Sequence, residues 1–242
     1  MPTLVIDSGN TRIKAALFNG NSLLQTFVFD RPSALTNIQE LISVNSPSAI
    51  LLSDVGSSLE NEMRSHTFSV PINYLSEQQK LPYINLYDSK QTLGADRKAL
   101  VAGALVLFPN ENCLVIDAGT CVTYDLLNSS QEYLGGNISP GLHMRLTAMH
   151  TFTGKLPNPE WQRPVDIMGT NTDSCLLTGA YYGLVGEIEY FIGKYSQKFP
   201  HLKVLLTGGN AEVLAKSIKT SIFVHEHLLL YGLNKILTHH AE

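Results

Sequence analysis

Apolar and polar positions along this chain fall into short alternating or continuous runs of β type and longer runs at helical spacing. Leu4 to Asp7, Arg12 to Phe18 and Leu23 to Phe29 read as three strands, the last two joined by an Asn19-Gly20-Asn21 hairpin turn. Leu35, Ile38, Leu41 and Ile42 share one face of a helix over Ser33 to Val44. Ala49 to Ser53 reads as a buried strand, Ser57 to His66 as a helix and Val70 to Leu75 as a further strand, so the first half has the order βββαβα. A small-residue helix follows over Asp96 to Leu107.

The plan begins again at Cys113, with strands to Asp117, from Val122 to Leu127 and from Tyr133 to Ile138. A long helical pattern from Thr172 to Phe199 carries Gly179, Gly183 and Gly186 on one face. Each glycine lowers helix propensity by about 1 kcal/mol relative to alanine, so the pattern predicts another backbone packed closely against that face. Lys203 to Thr207 reads as a strand, Gly208-Gly209 as a turn, Ala211 to Ser217 as a helix start and Leu228 to Thr238 as a closing helix. Thr153 to Asn171, with Pro157, Pro159 and Pro164, is the most loop-like stretch and of a kind that covers a site.

The two halves share more than a plan. Leu4-Val5-Ile6-Asp7-Ser8-Gly9 and Leu114-Val115-Ile116-Asp117-Ala118-Gly119 agree at five of six positions. Each is a strand ending in an acid, a small residue and a glycine, followed by a second β-branched stretch. The glycine is expected to allow positive φ and to bring backbone N–H groups near a bound group, while the carboxylate at the strand end can hold a cation. One such turn is a common hairpin; two at half-chain spacing predict duplicated domains, 1–110 and 111–242, each with a turn suited to phosphate.

Composition narrows the partners. Charged residues make up only 16% of the 242, which predicts that some surface is covered, most simply by a second copy in a homo-oligomer. A net charge of −4 with scattered Lys and Arg gives no basic stripe, and this excludes nucleic acid as the expected ligand. The N-terminus enters a strand without the regions of a signal peptide, and no apolar run reaches the length of a membrane span, so the expectation is a cytoplasmic protein with no membrane partner. Cys113, Cys121 and Cys175 lack zinc or disulfide spacing and read as small core hydrophobes.

The chain contains no GxxxxGK[ST] and no GxGxxG, so phosphates must be held by other turns. Candidates are Asp7 to Lys14, Gly94-Ala95-Asp96-Arg97, Asp117 to Thr120 and Thr207-Gly208-Gly209. In Asp7-Ser8-Gly9-Asn10-Thr11-Arg12-Ile13-Lys14, backbone amides and the Thr11 hydroxyl can ring a polyphosphate, Lys14 adds a point charge and Asp7 faces the metal. Asp96 opens a helix, where the macrodipole is favourable to negative charge and a carboxylate can serve as general base. Arg97 beside it can fork onto a carboxylate or phosphate.

The repeated βββαβα halves with Asp-x-Gly turns resemble the duplicated actin-like (ribonuclease H-like) α/β superfamily of actin, hexokinase and acetate kinase, in which ATP lies in the cleft between the domains. Within it the chain is similar to the type III pantothenate kinases over essentially its full length. That likeness rests on DSGNTRIK, GADR, DAGT, GGNISPG, the spacing of Asn171-Thr172 to Gly179, TGG and the closing LLLYGL. Cys121 stands where the family has Ala after DAGT, and Asn210 where an acid often follows TGG.

The resemblance implies transfer of the ATP γ-phosphoryl group to the primary hydroxyl of pantothenate, the first step toward coenzyme A. It implies Asp96 as general base, Tyr87, Gly94, Ala95, Asp96, Arg97 and Thr172 as substrate residues, and Asp7 to Lys14 with Thr120 on the nucleotide and its Mg²⁺. It further implies a monovalent cation, K⁺ or NH₄⁺, at Asp117 and an active site completed across a homodimer. No lysine matches Lys14 in the second repeat, where Leu127 and its neighbours are apolar or neutral, so the two aspartates are expected to do different work. Two other readings stay open: a kinase of this fold for a different small hydroxyl compound, and a nucleotide-binding regulator without catalysis.

Overall fold

A computed structural model describes residues 1–9, 12–54, 58–76 and 79–239. In chain order its elements are β1 (Thr3–Ser8), β2 (Ile13–Asn19), β3 (Ser22–Phe29), α1 (Ala34–Asn45), β4 (Ala49–Asp54), α2 (Ser58–Arg64), β5 (Ile72–Tyr74), β6 (Ile84–Asn85) and α3 (Ala95–Leu107). They continue with β7 (Cys113–Ala118), β8 (Cys121–Leu127), β9 (Glu132–Pro140), α4 (Leu142–Thr151), α5 (Thr172–Lys198), β10 (Lys203–Thr207), α6 (Ala211–Ala215), β11 (Phe223–Val224) and α7 (Leu228–His239). The chain divides into one unit of residues 1–109, 131–133 and 227 onward, and another of 110–130 and 134–226.

In the first unit the sheet order is β3-β2-β1-β4-β5. β1 pairs antiparallel with β2 and parallel with β4, and so lies in the middle of the sheet. A central strand is covered on both faces, which is why Leu4, Val5 and Ile6 are all buried instead of alternating with polar residues. Leu4 and Ile6 pack with Ile13, Ala15 and Leu17 of β2 against Ile38 and Ile42 of α1 and Leu59 and Met63 of α2.

The opposite face carries α7. Thr3 Oγ1 donates to Asn234 Oδ1 (2.7 Å), and Asn234 Nδ2 donates to Gly20 O (2.9 Å), fixing the helix to β1 and to the first hairpin. α7 also crosses α3 with backbone against backbone. A Cβ at Gly232 would strike the Ala99 carbonyl, and one at Gly103 the Leu228 carbonyl. The closing LLLYGL stretch is therefore a helix-packing motif, with Gly232 as its contact point.

The second unit repeats the order as β9-β8-β7-β10-β11, with β7–β8 antiparallel and β7–β10 and β10–β11 parallel. Strand for strand this is the topology of the first unit, so the duplication legible in two short sequence stretches extends to the whole sheet. Leu114, Ile116, Val122, Tyr124 and Leu126 pack against Tyr181, Leu184, Ile188 and Ile192 of α5. α5 starts where it does because Asn171 and Ser174 form a capping box, Ser174 N donating to Asn171 Oδ1 (2.9 Å) and Asn171 N to Ser174 Oγ (3.0 Å).

Several expectations need correction. Among the described residues, nothing outside the local helix backbone lies within 4 Å of where a Cβ would stand on Gly179 or Gly186, and Gly183 meets Arg145 Nη1 at 3.9 Å. No other described backbone packs there; the glycines leave a smooth, exposed stripe on α5. Of the cysteines only Cys113 is a core residue, its thiol pushed up to about 12 chiefly by burial, whereas Cys121 is half-buried and Cys175 exposed. Among the described residues no helix is long and apolar enough to cross a membrane.

Candidate active site

The two repeat turns are closed by their own backbones. Gly9 N donates to Arg12 O (3.2 Å) and Gly119 N to Cys121 O (3.0 Å), and neither glycine adopts positive φ. These two N–H groups are consumed inside the turn, contrary to the expectation that they face a ligand. Space still favours glycine at this position, because a Cβ on Gly9 would stand 3.3 Å from Arg12 O, closer than side-chain contacts usually come. Arg31 donates from Nη2 to Gly9 O (2.9 Å) and from Nη1 to Ser58 Oγ, tying the turn to the start of α2. Asp54 Oδ2 accepts from Glu60 N (3.0 Å) in the first turn of that helix. Asn10 and Thr11 lie outside the described residues.

Strand register decides what faces each aspartate. In the first unit Lys14 is directly across from Asp7 on β2, and Ser53 is its parallel neighbour on β4. Register partners point to one side of a sheet, so a carboxylate, an ammonium and a hydroxyl share that face. The Ser53 hydroxyl is fully buried with no hydrogen-bond partner among the described residues, and the Ser8 hydroxyl is in the same state on the opposite face of the sheet. One carboxylate with a nearby hydroxyl is a donor set that suits Mg²⁺, which keeps most of its waters. Arg12 is exposed and Ile13 is a core residue, so of the last three positions in the motif Lys14 is the one half-open beside Asp7.

In the second unit Asp117 faces Thr123 across β8 and Thr207 along β10. The residue matching Lys14 is thus Thr123, which corrects the expectation that the matching place lies at Leu127 and its neighbours; the second turn is one residue shorter than the first, so register sets the correspondence. Thr123 Oγ1 is buried with no hydrogen-bond partner among the described residues. A carboxylate between two threonines is an all-oxygen set of low charge, which fits a monovalent cation better than a divalent one.

Three motifs converge on this turn within the second unit. Gly208 has φ +93°, and a Cβ there would collide with Asp117 Oδ1 and the Ala118 backbone, so the TGG glycine lets β10 close over the aspartate. Gly141, ending GGNISPG and capping α4, donates its N–H to Thr120 O (3.0 Å), in contact too close for any side chain. Asn210 donates both its backbone N (3.0 Å) and its Nδ2 (3.2 Å) to Ala118 O. The side-chain bond explains an amide at this position, since a carboxylate cannot donate.

A half-buried network holds the Ser139-Pro140-Gly141 corner in place. Tyr124 OH (2.8 Å) and Ser139 Oγ donate to Glu187 Oε1, while Arg145 donates to Glu187 Oε2 and from Nε to Pro140 O (2.8 Å). Burial raises the Glu187 carboxyl, but the bonds from Ser139, Arg145 and Tyr124 outweigh it and leave the group below its usual value. Burial and the Glu187 bond push Tyr124 well above the ordinary phenol range.

The GADR stretch begins α3 in the first unit. Gly94 caps the helix and Asp96 lies in its first turn, half-buried, with Oδ1 accepting from Arg97 N (2.8 Å). A Cβ at Gly94 would collide with Asp96 Oδ1, so the glycine makes room for the carboxylate. Arg97 is 5% exposed, not a solvated surface arginine. Its Nη2 donates to Tyr133 OH (2.9 Å), and its guanidinium lies 5.6 Å from the centre of the Tyr87 ring. Tyr87 stacks on Tyr133 at 5.9 Å and 28°. Tyr133 and Tyr83 belong to this cluster but to none of the motifs; only the pairing of β6 with Glu132–Tyr133 brings them here. Thr172 stands exposed on the first turn of α5 in the second unit.

Two sheets that share one order over five strands, each with an aspartate near the end of its first strand, define a duplicated actin-like α/β fold, the architecture of a ROK hexokinase among others. The ROK hexokinase from Thermus thermophilus is similar with a TM-score of 0.51 at 15% identity, covering 100% of each chain. A Baf family protein from Campylobacter jejuni is similar with a TM-score of 0.63 at 21% identity, covering 98% of each. At such identities the likeness is one of fold. The family model for type III pantothenate kinase matches residues 3–194, and the type III pantothenate kinase of Flavobacterium johnsoniae is 38% identical over 233 residues, 96% of either chain. The chain belongs to the type III pantothenate kinase family.

Proposed function

We propose that this chain catalyses the reaction for which its family is named, transfer of the ATP γ-phosphoryl group to the primary hydroxyl of pantothenate, giving 4'-phosphopantothenate at the first step of coenzyme A synthesis. The observation that carries the reading is the head of α3, where Asp96 sits half-open in the first turn beside a buried arginine held on tyrosines. Asp96 takes the hydroxyl proton as the oxygen attacks the γ-phosphorus, the bond to the β–γ bridging oxygen breaks, and ADP leaves. Phosphoryl transfer asks mainly for positioning and charge stabilisation, and one well-placed carboxylate suffices as base.

Asp7, with Lys14 across the ladder, handles the phosphates, Lys14 as a point charge and Asp7 toward Mg²⁺. Bound Mg²⁺ would neutralise phosphate charge. Asp117, with Thr123 and Thr207, would hold K⁺ or NH₄⁺, and Thr120 would meet the nucleotide. Gly94, Ala95, Arg97 and Tyr87 serve pantothenate. On this reading the halves 1–110 and 111–242 correspond to the two actin-like domains, except that the closing helix α7 returns to the first, and the enzyme is a homodimer in which one protomer's Thr172 serves its partner's site. The exposed stripe of Gly179, Gly183 and Gly186 supports that assembly by offering a face to which a second copy can come close.

The test is ADP release with ATP, Mg²⁺ and K⁺ across a panel of small hydroxyl acceptors that includes pantothenate. Release that depends on pantothenate, and is weak with the others, is expected. Preference for a different acceptor, or none at all, would overturn the reading.

A further inference from the structure

Tyr133 is fully buried, lies outside every motif that points to the site, and is the hydrogen-bond acceptor for Arg97 Nη2 at 2.9 Å. Three contacts fix the phenol. Its backbone is locked to β6, with Leu86 N donating to Tyr133 O (3.0 Å). Its ring stacks on Tyr87 and meets Tyr83 edge-on at 6.2 Å and 66°. Tyr83 in turn donates from its hydroxyl to Lys98 O (3.1 Å), which ties the cluster to the backbone of α3.

A guanidinium is a flat fork of five donors, and the direction of the fork decides what it can bind. Here one donor is held by Tyr133 and one face lies over Tyr87, so the plane is set before any ligand arrives. A preset fork recognises a planar carboxylate in two-point fashion and gives nothing comparable to an uncharged group. We propose that Tyr133 is a positioning residue that aims Arg97 at the carboxylate of the acceptor, and so sets the preference for an acid over uncharged analogues. The inference rests on the functional reading above.

The experiment compares pantothenate with pantothenyl alcohol, in which a CH₂OH group replaces the carboxylate, using ADP release by the full chain. Tyr133→Phe keeps the stacked ring and removes only the acceptor. Loss of a hydrogen bond to a charged group predicts a rise in KM for pantothenate of roughly tenfold with kcat within about twofold. The alcohol should be nearly unaffected, so the preference for pantothenate shrinks by that same factor. A role in stability alone would lower both substrates together. Arg97→Gln supplies the second variant, removing both the charge and the fork. It should erase the preference by itself, and adding Tyr133→Phe should then change little, because the tyrosine acts through the arginine. An unmutated enzyme that uses pantothenate, with Tyr133→Phe showing the same KM and preference, overturns the inference alone. An unmutated enzyme inactive on pantothenate overturns the functional reading and this inference with it.

Discussion

Asp7 and Asp117 occupy the same place in two copies of one turn, yet their neighbours differ. Lys14 and Ser53 flank the first, Thr123 and Thr207 the second. On the function proposed above, this difference in charge would separate a phosphate-side divalent site from a monovalent one. Activity should therefore rise when potassium replaces sodium at constant ionic strength, and Asp117→Asn should blunt that rise while the divalent requirement persists. Titrating potassium against sodium in both proteins checks this, and equal rates in the two salts for the unmutated enzyme would refute it. At this scale the sequence reveals residues whose chemistry is local: Asp96 and Arg97 adjacent in GADR, Asp7 and Asp117 in a repeat. It conceals those whose role comes from pairing. Tyr133 reaches Arg97 through a two-residue strand, Arg31 reaches Gly9 from after β3, and Thr123 faces Asp117 only once register is known.

Among elements, long periodic segments were legible and short or unpatterned ones were not. The strand at Lys203–Thr207 and the long helix from Thr172 match the expectation closely, while β5 is confined to Ile72–Tyr74 within the longer run expected. α4 passed unseen because only Leu142 and Leu146 of its ten residues are buried, which leaves no stripe to read. β6 and β11, of two residues each, are too short for any period. Yet α4 begins at the Asp117 turn, and its corner is held by Glu187. Because that carboxyl is lowered in the folded state, its contribution to stability is present above the usual glutamate value of about 4.3 and is lost as pH falls through the lower folded value. Glu187→Gln should accordingly melt below the unmutated protein at neutral pH, with the gap closing below about pH 4. Melting temperatures across pH 7 to 3 would show it, and a gap that stayed constant or widened in acid would count against the network.

For the whole molecule, duplication is the property the sequence announced best, since five identities in six residues foretold a shared strand order in both units. The face of α5 is the least resolved by sequence: its glycines predicted a close neighbour, and the described residues supply none. A second copy is the natural occupant, so the protein should be a two-fold dimer by light scattering at micromolar concentration. A fully active monomer would contradict this. The central claim is pantothenate phosphorylation with Asp96 as base, and one comparison reaches it directly: product formation from ATP and pantothenate, followed by mass spectrometry, for the unmutated enzyme and Asp96→Asn. Phosphorylated pantothenate and ADP in equal amounts are expected from the former. From the latter, unchanged ATP affinity is expected with turnover lower by roughly 10² to 10⁴. Near-normal turnover in Asp96→Asn, or ADP without phosphorylated pantothenate in the unmutated enzyme, would contradict it.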